Sequence, residues 1–241
     1  MSVSVIVPSY NEEELIEKTV NEIHAYLSKN SDKFEIILVD DGSTDSTLYI
    51  ATTLSRKLPN IKVLSNNVNC GKGYSVRKGM LEATSEYALF TDADLSTPID
   101  ELDRFIPHFN NGAEIIIGSR ALKNSRVIVR QSLLRKFMGN VFNVLAQLIL
   151  CRGIKDTQCG FKCFKSEIGR KLACLQRTSG FAFDAEILFL AKKHGYKVHE
   201  VPVTWRNRKN SRVTLVMSPV AMFLDLLRIR INDARGVYEL K

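Results

Sequence analysis

At 241 residues, 45% hydrophobic and 25% charged, the chain can build one large domain with a full core, and its composition excludes a disordered, collagenous or disulfide-stapled protein. No stretch reaches the ~20 uninterrupted apolar residues of a membrane-spanning helix. The first residues, Met1 to Val7, run straight into a strand without the basic and apolar regions of a signal peptide, so a cytosolic protein is expected.

The first half alternates β-rich runs with helical periods. Strands are expected at Val3 to Val7, Glu35 to Val39, Lys62 to Leu64, Tyr87 to Thr91 and Glu114 to Gly118, and helices at Glu12 to Leu27, Thr47 to Leu58, Tyr74 to Ala83 and Ile99 to Phe109. Such alternation means an α/β fold, a Rossmann-like and mostly parallel sheet with helices on both faces. Next come a basic loop, a long apolar helix over Phe137 to Cys151 and a strand Gly160 to Phe164. Helices near Ser166 to Leu175 and Asp184 to His194 follow, then a strand Lys197 to Trp205, a basic loop Arg206 to Arg212 and a terminal apolar helix within Val213 to Ile231. With no repeat, linker or composition break, the chain reads as a single domain in which the second half completes the sheet and covers the site.

The net charge of +8 is concentrated. From Ile115 to Lys155 there is no Asp or Glu, but there are Arg120, Lys123, Arg126, Arg130, Arg135, Lys136, Arg152 and Lys155. Such a patch suits phosphate groups, a membrane surface or nucleic acid, and a plain solvated face has the same composition. The long apolar helices, interrupted by Asn140, Asn143, Gln147, Pro219 and Asp225 and flanked by Arg or Lys, fit helices lying in a membrane interface and equally fit core-facing ones. The five cysteines form no C-x-x-C pair and lie far from the four histidines in sequence, so neither a disulfide framework nor a zinc site is signalled.

Polar clusters follow three of the expected parallel strands: Pro8-Ser9-Tyr10-Asn11-Glu12, Asp40-Asp41-Gly42-Ser43-Thr44-Asp45 and Asp92-Ala93-Asp94. Ligands of open α/β sheets bind at those strand ends. Asp92 and Asp94 can clamp Mg²⁺ or Mn²⁺, which keep the rest of their shell for water and substrate phosphates. Helix capping is the alternative: Pro98 and the acidic turn after it for Asp92 and Asp94, Ser9 or Asn11 for the first helix, Thr44 or Asp45 for the second. Capping leaves the pair Asp40-Asp41 and the turn position of Tyr10 unexplained. A carboxylate can accept the imide N–H of uracil or the N1–H and amino group of guanine, and an aromatic ring can stack on a base. The turn Cys70-Gly71-Lys72-Gly73-Tyr74 resembles a phosphate cradle without either glycine fingerprint. Its glycines serve close backbone approach at a helix start equally well, and Lys72 joins Asp40 and Asp41 as a candidate nucleotide contact.

Together with Val7-Pro8-Ser9-Tyr10-Asn11-Glu12, Asn69-Cys70-Gly71-Lys72-Gly73 and Gly118-Ser119-Arg120, these motifs resemble those of the family 2 inverting glycosyltransferases with the GT-A fold. Asp156-Thr157-Gln158-Cys159-Gly160-Phe161-Lys162, Phe181-Ala182-Phe183-Asp184-Ala185-Glu186 and Glu200-Val201-Pro202-Val203-Thr204-Trp205 resemble the dolichyl-phosphate sugar synthases, and D-T-Q-C-G-F-K looks more like the β-glucosyl than the mannosyl enzymes. The resemblance implies transfer of glucose from UDP-glucose to dolichyl (polyprenyl) phosphate at the cytosolic face of a membrane, with mannose from GDP-mannose, or another hexose or N-acetylhexosamine, as the alternatives. It implies that Pro8, Tyr10, Asn11, Glu12 and Asp40 hold base and ribose and that Asp92 and Asp94 bind the metal. Arg120, Arg130 and Arg208 would meet the phosphates. It also divides the domain into a nucleotide-sugar half, residues 1–120, and an acceptor half, 121–241, with interfacial helices. Two departures stand out: Ser96 where the mannosyl enzymes carry a Gln, and Asn210-Ser211-Arg212 where the family has G-S-K.

A nucleic-acid module would leave the strand-end carboxylates unexplained. A nucleotidyltransferase would open with a G-x-G-T run, and a processive polysaccharide synthase would carry Q-x-x-R-W and spanning helices; neither pattern is present.

Overall fold

The computed structural model describes residues 1–129, 133–206 and 218–239. Its frame is a seven-stranded sheet in the order β3-β2-β1-β4-β7-β5-β8. The strands are β1 (Ser2–Ser9), β2 (Lys33–Asp40), β3 (Ile61–Ser65), β4 (Tyr87–Thr91), β5 (Ile115–Ser119), β7 (Phe161–Lys165) and β8 (Val198–Pro202). A separate parallel pair joins β6 (Arg126–Val129) to β9 (Thr204–Arg206). Strands β1 to β4 run parallel, as do β5 and β8, and β7 lies antiparallel between β4 and β5. The expected mostly parallel α/β sheet is therefore present, completed by strands from the second half.

Helices cover both faces, which is why Ile36 to Val39 and Ile115 to Ile117 are fully buried. Alternate side chains divide between two cores. Ile6, Ile37, Phe90 and Phe164 meet α3 (Lys72–Glu82), α6 (Ser166–Leu175) and α7 (Phe183–Lys193). Val5, Val7, Leu38 and Leu89 meet α1 (Ile16–Asn30), α2 (Thr47–Lys57) and the segment Ile99–Asn110. Phe90 stacks on Phe164 and packs tilted against Phe183, with ring centroids 6.3 and 5.6 Å apart. Each such ring contributes roughly 1.5–3 kcal/mol by its burial.

Several elements differ from the sequence expectation, among them strand β6 inside the expected basic loop. Ile99 to Phe109 is a 3₁₀-helix, Ile99–Arg104, followed by α4 (Ile106–Asn110), because Pro107 has no N–H to carry a helical ladder through. The strand expected from Lys197 to Trp205 breaks after Pro202: β8 pairs with β5, whereas β9 leaves the sheet for β6. The first helix starts at Ile16 rather than Glu12, after a turn in which Asn11 adopts φ 52°.

Helix α5 (Leu133–Ile149) packs against α8 (Ser218–Ala234). Both bury one apolar stripe, Phe142 and Ala146 on α5, Leu226 and Ile229 on α8. Both also expose another: Phe137, Val141, Val144 and Leu148 on α5, and Leu224, Leu227 and Ile231 on α8, with Leu148 78% exposed. The core-facing and the outward-facing reading thus each describe one side of these helices. Among the described residues, no helix is long and apolar enough to cross a membrane.

Candidate active site

Parallel strands end on one side of a sheet, so Ser9, Asp40, Thr91 and Ser119 open onto a common rim. The antiparallel β7 enters at that rim, Phe161 opposite Thr91, and carries Cys159-Gly160 up to the turn after β4. A Cβ on Gly160 would overlap the Asp92 carboxylate. Gly160→Ala should therefore displace Asp92 and cut activity about tenfold or more while shifting thermal unfolding little, since a carboxylate tip moves readily; parallel rate and melting measurements check this.

The Asp92-Ala93-Asp94 turn is held from within. Leu95 takes φ 45° and its N–H donates to Asp92 O at 3.0 Å, and Thr19 Oγ1 donates to Ala93 O. Ser96 N and Oγ both donate to Asp94, at 2.8 and 2.7 Å. Neither aspartate caps a helix. Burial and then the Asp92 charge push the Asp94 carboxyl above the ordinary aspartate range, against the two Ser96 hydrogen bonds. Asp92 Oδ1 meets the Lys72 ammonium at 2.6 Å. Burial alone would lower the Lys72 pKa, but Asp92, Asp184 and Asp94 more than reverse that and hold it above the usual lysine range. A turn that keeps a carboxylate against a cation, with a second carboxylate beside it, fits a divalent metal. Among the described residues no three His, Cys, Asp or Glu side chains form a self-contained metal cage, as suits an ion that completes its shell with water and phosphate oxygens.

Asp40 and Asp41 have different jobs. Asp41 is spent on the neighbouring turn, accepting from Cys70 N, Gly71 N and Asn66 Nδ2 at 3.0, 2.8 and 2.8 Å. Asp40 is 1% exposed; its Oδ2 accepts from Ser43 N, while the buried Oδ1 has no partner among the described residues. An orphaned buried acceptor costs about 1–3 kcal/mol, and a donor group of a ligand could satisfy this one. Asn11 bridges to the Asp40 loop rather than starting α1: its Oδ1 accepts from Thr44 N and its N–H donates to Ser43 Oγ. Glu12 N donates to Thr47 Oγ1. Of the capping residues expected, Asp45 accepts from Thr47 N at the start of α2, but it lies one residue before the N-cap position, Ser46, which has no side-chain cap hydrogen bond. Pro8 is buried at the end of β1, and Tyr10 is half-buried beside it.

Arg120, expected to face phosphate, is clamped by Asp156, Nε and Nη2 each at 2.8 Å, and lies 5.5 Å from the Trp205 ring centroid. Burial would raise the Asp156 pKa, but Arg120 overrides it and holds the carboxyl below its usual range. Glu200 on β8 accepts from Lys155 N and Asp156 N, fixing that loop. Arg130 and Arg208 lie outside the described residues, as does Asn210-Ser211-Arg212.

Several supporting residues had no role in the sequence reading. Lys162, on β7, is fully buried and pairs with Asp184 of α7. Burial pushes the Asp184 carboxyl up, with Lys162 and Lys72 pulling the other way. Glu186, also buried, accepts from Arg177 N, Thr178 N and Tyr238 Oη, which sets the loop whose Ser179 O receives Gly73 N at 2.7 Å. The available signal was a lysine inside the apolar run Gly160 to Phe164, since a buried charge requires a partner. All five cysteines are free thiols.

The chain belongs to glycosyl transferase family 2, whose model matches residues 4–172. Over 99% of its length it is 36% identical to a dolichyl-phosphate β-glucosyltransferase of Dictyostelium discoideum, covering 76% of that protein. It is 31% identical to the Saccharomyces cerevisiae and 32% to the Homo sapiens protein so named, over 98% and 99% of this chain and 76% and 78% of theirs. In fold it is similar to mannosyl-3-phosphoglycerate synthase from Rubrobacter xylanophilus, with TM-score 0.71 and 20% identity over 100% of this chain and 76% of that one. Glucosyl-3-phosphoglycerate synthase from Mycobacterium tuberculosis, crystallised with Mn²⁺, UDP and glucosyl-3-phosphoglycerate, gives TM-score 0.67 at 18% identity, over 96% and 79%.

Proposed function

We infer that this glycosyltransferase moves glucose from UDP-glucose to dolichyl (polyprenyl) phosphate with inversion. The observation that carries the reading is the rim itself: an unsatisfied acceptor on Asp40 for the base and paired carboxylates at Asp92 and Asp94 for a metal. The relatives named above supply the sugar and the lipid.

Asp40 Oδ1 accepts the uracil imide N–H, Tyr10 stacks on the base, and Pro8, Asn11 and Glu12 shape the ribose pocket. Asp92 and Asp94 hold Mg²⁺ or Mn²⁺, which supplies neutralisation of the leaving diphosphate. The acceptor phosphate, with a second pKa near ~6, is largely dianionic at neutral pH and needs no general base. What opposes the reaction is bringing two anions together, ~4 kcal/mol per unit-charge pair at ~4 Å and effective dielectric ~20. Lys72 and Arg120 offset that repulsion. Asp156 fixes the Nε–Nη2 edge of Arg120, so a phosphate would be met through the other edge of the guanidinium, and by the family resemblance Arg130 and Arg208 are further phosphate contacts.

Purified protein given a polyprenyl phosphate, Mn²⁺ or Mg²⁺ and radiolabelled UDP-glucose should place label in the lipid fraction, and GDP-mannose should not. Label from GDP-mannose alone would overturn the sugar assignment.

The lipid is reached from a membrane surface. The apolar stripes of α5 and α8, beside exposed Arg228, Arg230 and Arg235, have the make-up of an interfacial anchor, and five free thiols suit a reducing cytosol. Leu148→Lys with Leu227→Lys should weaken co-sedimentation with anionic vesicles about tenfold or more. Transfer to a short, water-soluble prenyl phosphate should be little changed.

A further inference from the structure

Lys72 occupies a place that two kinds of cation want. Its ammonium lies 2.6 Å from Asp92 Oδ1 with its side chain 21% exposed, and 5.7 Å from the Phe183 ring centroid. The other carboxylates near it have partners of their own, Ser96 for Asp94 and Lys162 for Asp184. The backbone fixes where Lys72 starts: it opens α3 directly after Gly71, φ +99°, whose N–H is held by Asp41. A Cβ on Gly71 would stand 2.5 Å from Ser179 O, so the turn also has the 178–180 loop pressed against it.

An ammonium and a divalent ion cannot share Asp92 without repulsion. A divalent ion held by the same carboxylate would set a second positive charge close to the lysine nitrogen, where charges poorly screened by solvent repel strongly. A diphosphate removes the conflict, because it gives the ammonium another anion to hold and gives the metal more oxygens.

We propose that Lys72 is the resident counter-ion of Asp92 in the donor-free protein and passes to the diphosphate when donor arrives, so that metal and nucleotide enter as a unit rather than metal first. This rests on Asp92 and Asp94 being the metal ligands and adds to that reading the order of binding.

The test is Mn²⁺ binding followed by the electron paramagnetic resonance signal of the free aquo ion, with and without UDP. The proteins are wild type, Lys72→Met, Lys72→Gln and Lys72→Arg. Wild type should bind Mn²⁺ weakly alone and about a hundredfold tighter with UDP. Lys72→Met and Lys72→Gln should bind Mn²⁺ alone about tenfold tighter than wild type and lose about tenfold of the UDP enhancement. Lys72→Arg should resemble wild type. The Gln variant, polar and similar in length, carries the comparison if the Met variant fails to fold. The proposal is overturned if UDP tightens Mn²⁺ in wild type but neither neutral variant gains affinity for Mn²⁺ alone. The metal assignment fails separately if UDP brings no Mn²⁺ to the wild type or if Asp94→Asn leaves Mn²⁺ binding intact.

Discussion

Asp94→Ala is expected to lower glucosyl transfer by about 10³-fold or more, and EDTA should do the same to the wild type. A metal supplies several kcal/mol of charge stabilisation to a departing diphosphate, and every ~1.4 kcal/mol is a decade in rate. Ser96 donates two hydrogen bonds to Asp94, which favour its charged form against the upward push of burial and the Asp92 charge, and a divalent ion beside it would favour that form further. Ser96→Ala should accordingly cost less, about tenfold, because it loosens the carboxylate without removing it. Initial rates over a Mn²⁺ titration separate the two variants: Ser96→Ala should recover at high metal and Asp94→Ala should not. Full activity in Asp94→Ala, or after chelation, would sink the metal assignment.

Lys162→Met is expected to destabilise the protein by about 3–5 kcal/mol, the cost of leaving one buried charge without its partner. For a chain of this size that is a fall of roughly 6–20 °C in melting temperature. Lys162 is fully buried and Asp184 is 3% exposed, so solvent cannot take the partner's place. The double variant Lys162→Met/Asp184→Leu should recover most of the loss, since a buried ion pair replaced whole by apolar groups is often neutral or better. Urea unfolding of both variants measures this, and a single variant within 1 kcal/mol of wild type would show that the pair is not doing structural work.

The parallel strands and the Asp92-Ala93-Asp94 turn were legible because both are local signals: an apolar run, then polar residues where it ends. Asp40 and Asp41 were visible as a pair, but their division of labour was not, because the partners of Asp41 at Cys70 and Gly71 are reached only after β3 has been laid alongside β2. The run Gly160 to Phe164 reads as a strand without saying which way it points. Its antiparallel setting is what brings Gly160 to Asp92. Arg120 was visible in the basic stretch and took its expected phosphate role from the family resemblance, but Asp156, which holds it, lies 36 residues away. Asn11 illustrates the limit of a local rule: it has the chemistry of a helix cap and instead ties two strand ends together.

The position of β7 has a consequence for synthesis. A nascent chain that has left the ribosome only as far as residue 120 holds β4 with one side unpaired, because its neighbour there arrives with Phe161–Lys165. Such a bare strand is a template for pairing with other chains. Residues 1–120 made without β7 would therefore be prone to pair with other chains, and chaperone dependence during translation should centre on the interval between the emergence of β4 and that of β7.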